Sequence, residues 1–67
     1  MNADALRAYW IGKRVALAPH LDRWMRGDRY GDVTGVRPTK DRGVRLAVLL
    51  DSGETVVLSD DDVTEVA

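Results

Sequence analysis

Gly27, Gly31 and Gly35 stand four residues apart in a segment, Gly-Asp-Arg-Tyr-Gly-Asp-Val-Thr-Gly-Val, that otherwise suits a strand. Isolated glycines within a strand mark bulges, sharp bends or the close approach of another backbone. A strand kinked in this way, followed by two regular hairpin strands, lets a very small sheet curl into a barrel. The expectation is an all-β domain whose bent strand runs from Asp28 to Arg37. Val33 and Val36 both turn to its core, with a bend or bulge between them. Gly31 or Gly35 is expected where a β-carbon would clash or where φ is positive.

The two strands after the bend are the plainest in the chain. From Val44 to Leu50, Val44, Leu46, Val48 and Leu50 alternate with Arg45, Ala47 and Leu49. Asp51-Ser52-Gly53 supplies a tight turn, and Glu54 to Leu58 returns with Val56 and Leu58 inward. Ser59 caps a helical turn over Asp60-Asp61-Asp62, and Val63 to Val66 closes the chain as a short strand. Upstream, Lys13 to Ala18 alternates with Val15 and Leu17 on one face, and Pro19 stops it. Residues 20–27 read as an irregular loop around Trp24, and Pro38 to Gly43 as a polar turn. Asn2 to Ile11 reads as a short helix, N-capped by Asn2, with Ala3, Leu6 and Trp10 on one stripe and Gly12 at its end. The domain reading is a helix over 1–11 and a barrel over 12–67. Twelve residues form its expected core: Val15, Leu17, Val33, Val36, Val44, Leu46, Val48, Leu50, Val56, Leu58, Val63 and Val66.

A chain of 67 residues has room for one domain and a small core. With no cysteine it has neither a disulfide nor a thiolate metal site, and one histidine makes no imidazole cluster. No apolar run approaches the roughly 20 residues that span a bilayer. Met1-Asn2-Ala3-Asp4 lacks the basic and apolar regions of a secretory signal, so a soluble cytoplasmic protein is expected. The formal charge of −1 hides a polar distribution: residues 1–45 carry ten bases against five acids, and residues 46–67 six acids and no base. Such asymmetry marks a basic binding face unless the two halves pair in space.

Five strands, a long first loop and one helical turn before the last strand are the layout of an SH3-like barrel. Gly27-Asp28, then Gly31-x-Val33-x-Gly35-Val36, resembles the glycine–valine strand of KOW and Tudor-like members of that class. The block from Pro19 to Gly31, with Leu50-Asp51-x-Gly53-Glu54-Thr55-Val56 downstream, is similar to small uncharacterised proteins of tailed phages and prophages. The likeness covers residues 12–67 and leaves out the helix. It implies a five-stranded SH3-like barrel, a fold that hosts many unrelated functions. The dense Lys/Arg run of ribosomal KOW sequences is not found beside the glycine here.

No Ser-His-Asp or Cys-His constellation and no Walker-type glycine loop is legible, so no enzyme activity and no cofactor is expected. The consecutive acids Asp60, Asp61 and Asp62 point in different directions and read as a capped turn, not a cation site. His20 beside Asp22 reads as a locally bonded loop residue. The candidate site is the loop that brings Arg23, Trp24, Arg26, Arg29 and Tyr30 together, joined by the basic turn with Arg37, Lys40 and Arg42. Aromatic rings stack on bases and guanidinium groups neutralise phosphates, which points to nucleic acid. Trp, Tyr and Arg equally dominate protein interfaces, so a protein-interaction or assembly module is the alternative. Trp24 and Met25 have a second placement, as a lid over one end of the barrel. Ala47, Leu49 and Val57 form an outward apolar patch that the helix is expected to cover, within the chain or across a homodimer.

Overall fold

The computed structural model describes residues 3–40 and 43–66. Five strands form one antiparallel sheet: β1 (Arg14–Leu17), β2 (Tyr30–Pro38), β3 (Val44–Leu50), β4 (Thr55–Ser59) and β5 (Val63–Glu65). Helix α1 (Ala3–Trp10) precedes them, a one-turn helix α2 (Asp22–Met25) stands between β1 and β2, and a 3₁₀ turn η1 (Asp60–Asp62) leads into β5. The expected loop around Trp24 is thus partly helical. The strand order is β4-β3-β2-β1-β5, and among the described residues no ladder joins β4 to β5, so the sheet stays open. The expected N-cap Asn2 lies outside the described residues, as do Asp41 and Arg42 of the polar turn.

The β3–β4 hairpin follows from alternation and turn chemistry. Leu46 faces Leu58 and Val48 faces Val56 across the ladder. Gly53 takes the left-handed conformation, φ +97°, that the connection needs, and its N–H donates to Leu50 O at 2.8 Å.

The bend in β2 is a bulge at Thr34. Val33 pairs with Val48, but Gly35 pairs with Ala47, so one extra residue enters on β2. That insertion shifts the alternation by one. Val33 and Val36 therefore share the inner face although they are three residues apart, as the sequence implies. It also turns Gly35 and Arg37 outward, opposite Ala47 and Arg45. The close approach occurs at Gly31, where a β-carbon would stand 2.6 Å from Val48 Cγ1 and 2.7 Å from Leu49 O. At Gly35 the nearest atom would be Ala47 Cβ at 3.4 Å, an ordinary contact.

Val15, Leu17, Val33, Leu46, Val48 and Leu50 are buried, with Val36, Val44, Val56, Leu58, Val63, Leu21, Trp10 and Trp24 packed around them. Val66 departs from expectation at 40 % exposed: it lies past the end of β5, its N–H bonded to Arg14 O, where the inner face has run out. The helix also departs. Instead of covering Ala47, Leu49 and Val57, α1 lies beside β2 and sends Trp10 against the buried core. Gly12 N bonds Val33 O and Val33 N bonds Lys13 O, both at 2.9 Å, so the connector is tied to β2 before the chain could reach the outer face. Leu49 and Val57 remain 40 % and 63 % exposed.

Candidate functional site

Ion pairing divides the basic residues into two groups. Arg7 pairs with Asp4, and Lys13 with Glu65 at 3.1 Å. Arg14 holds Asp51 at 2.6 Å and Asp32 at 3.4 Å, while Arg23 binds Glu54 and stands 3.9 Å from Asp28. Among the described residues, Arg26, Arg29, Arg37, Lys40 and Arg45 make no ion pair. The acids of the C-terminal third therefore pair with Lys13, Arg14 and Arg23 and, among the described residues, leave Arg37, Lys40 and Arg45 without an ion pair at the far end of β2.

The aromatic loop is largely occupied by its own chain. Trp24 packs against the core, and the Arg29 guanidinium carbon lies 4.1 Å from its ring centroid. Met25, the other half of the expected lid, points away and is 71 % exposed. Arg14 lies 5.7 Å from the Tyr30 ring, beside its own salt bridges. Arg23 is engaged by two carboxylates. Of the five candidates in this loop, Arg26 alone is exposed with neither an ion pair nor a ring contact among the described residues.

The remaining candidates fall at the other end of the sheet. Arg37 is seven residues along β2 from Tyr30, a separation of roughly 20 Å at a strand rise of ~3.3 Å per residue. The loop and the basic turn are thus two places, not one surface. Arg37 pairs directly with Arg45 in the ladder, and both are exposed on the outer face. Directly opposite residues hold their β-carbons about 5 Å apart. One step towards the bulge, Gly35, Ala47 and Val57 form a row across β2, β3 and β4. These residues, with Val36, line an open groove of about 510 Å³. Lys40 follows β2 in the turn, exposed; Arg42 lies outside the described residues.

Arg45 is the member that the sequence left out of the site. Its signal was available: closing the turn between Pro38 and Val44 places residue 37 opposite residue 45. The acidic turn is dispersed. Ser59 Oγ accepts from Asp61 N at 3.3 Å, Asp60 faces Val44 N at 3.5 Å, and Asp62 stands 3.4 Å from His20. His20 therefore partners Asp62 rather than its neighbour Asp22. Among the described residues no group of three or more His, Asp or Glu side chains could hold a metal ion. No helix there is long and apolar enough to cross a membrane.

Comparison of the chain with protein-family models, curated proteins and solved structures gives no match.

Proposed function

We propose that the chain is a non-catalytic binding module, an SH3-like barrel, that contacts the phosphate backbone of nucleic acid through the outer face of β2 and β3. The barrel reading is supported by the order β4-β3-β2-β1-β5 and by η1 leading into β5. The functional reading rests on one observation: Arg37 and Arg45 face each other across the ladder, and among the described residues neither makes an ion pair. Like charges directly opposite destabilise a sheet. A phosphate between them relieves that repulsion and offers each guanidinium a charge-assisted hydrogen bond. Lys40, exposed in the turn, extends the cationic surface.

The alternative is a protein partner, favoured by Val57, whose apolar side chain is 63 % exposed on edge strand β4. Amide chemical-shift mapping with an added oligonucleotide separates the two. The nucleic-acid reading expects the amides of Gly35, Arg37, Arg45 and Ala47 to move together. A spectrum unchanged at saturating oligonucleotide in low salt favours the protein partner.

A further inference from the structure

We infer that this face takes single-stranded rather than duplex nucleic acid, with a phosphate between Arg37 and Arg45 and an unpaired base against Gly35, Ala47 and Val57. The inference rests on the phosphate-binding reading and narrows it.

The groove joins two chemistries that a duplex does not offer together. Its cationic end is the Arg37–Arg45 pair, and its floor is apolar and low. Gly35 contributes no side chain, Ala47 only a methyl, and Val57 stands exposed at the edge. The bulge at Thr34 creates this floor, because it turns Gly35 outward and sends Val36 to the core. The floor and the arginine pair are two residues apart along each strand, about 7 Å. That is comparable with the separation of phosphate and base within one nucleotide. In a duplex the base faces are hidden in the stack, so the arginines would be engaged and the apolar floor would not. An unpaired base presents a flat face to lie on Gly35 and Ala47, with guanidinium planes beside it.

Fluorescence anisotropy with the whole chain tests this at ~50 mM salt, where phosphate contacts are strong. The probes are an oligothymidylate of about ten nucleotides, an abasic strand of equal length and a duplex of equal length. The oligothymidylate should bind about fivefold or more tightly than either of the others. Val57→Ser should bring it down to the affinity of the abasic strand. Leu49→Ser, on the same outer face but outside the groove, should leave the preference intact, and melting curves check that both variants fold. Equal affinity for all three probes, still lost in Arg37→Ala, overturns the single-strand inference and keeps the phosphate contact. No binding of any probe overturns both.

Discussion

The hydroxyl of Tyr9 donates a hydrogen bond to the Glu65 carboxylate at 2.7 Å, fastening the N-terminal helix to the last strand. Lys13 completes the cluster, 3.1 Å from the same carboxylate and 4.6 Å from the centre of the Tyr9 ring. The bond from Tyr9, and then Lys13, hold the Glu65 carboxyl below its ordinary range, and the same bond raises the Tyr9 phenol above its own. One residue on from Lys13, at the start of β1, the bond from Arg14 lowers Asp51 likewise.

These shifts fix the direction of pH dependence. Glu65 and Asp51 titrate lower when folded than when unfolded, so their stabilisation is present above the usual carboxylate range and is lost as pH falls through their folded values. Tyr9 titrates higher when folded, so its contribution is full below about pH 10 and is lost as pH rises through the folded value. Thermal melts across pH should fall at both limbs. Glu65→Gln should flatten the acid limb, and Tyr9→Phe the alkaline one. An acid limb unchanged by Glu65→Gln would show that the helix is not fastened there.

Gly31 and Gly35 should respond unequally to a methyl group. Gly31→Ala drives a β-carbon to within 2.7 Å of the Leu49 carbonyl oxygen, a backbone atom that cannot swing away. It should cost about 1–3 kcal/mol. Gly35→Ala meets only Ala47 Cβ at 3.4 Å and should stay within about 0.5 kcal/mol of the parent. Urea denaturation of the two variants checks the contrast.

Trp10 should matter more than any residue of the exposed patch. Its side chain packs against the buried core, so Trp10→Ala should destabilise by about 2 kcal/mol. Val57→Ser, at 63 % exposure, should change stability by less than half of that. Removing residues 1–11 should lower the melting temperature by exposing the inner core. The outer patch is exposed already, and its accessibility should not change.

Arg23 and Arg26 should separate stability from binding. Arg23→Ala releases Glu54 and Asp28 and should lower stability modestly, by about 0.5–1 kcal/mol for a partly exposed pair, with nucleic-acid affinity unchanged. Arg26 makes no ion pair among the described residues, and Arg26→Ala should leave the melting temperature where it was. Melting and binding measured on the same two proteins test this.

Elements whose causes are local were legible in the sequence. The alternation from Val44 to Leu50 and the turn at Gly53 sufficed for the hairpin, and Ser59 before three acids sufficed for η1. The bulge was legible because Val33 and Val36 are both apolar yet three apart in a glycine-spaced strand. The placement of α1 was not. Alternation identifies an uncovered outer face, but it does not show that the inner core needs Trp10. The site was half legible for the same reason. Arg37 and Lys40 carry their signal in the turn, whereas Arg23 is withdrawn by Glu54, which is 31 positions away. Trp24 reads from the sequence either as a stacking platform or, with Met25, as a lid; it packs against the core while Met25 stays exposed, and nothing nearby in sequence decides between the two.

The most direct test of the central claim is the salt dependence of oligonucleotide binding, measured on the parent, Arg37→Ala, Arg45→Ala and Arg26→Ala. Each neutralised phosphate contributes about 0.7 to the slope of log affinity against log salt for a single strand. Arg37→Ala and Arg45→Ala should each weaken binding and flatten that slope by part of this amount, because the two share one phosphate, while Arg26→Ala leaves it unchanged. A slope unchanged in Arg37→Ala and Arg45→Ala, or lowered only in Arg26→Ala, would contradict the assignment of this face as the phosphate-binding surface.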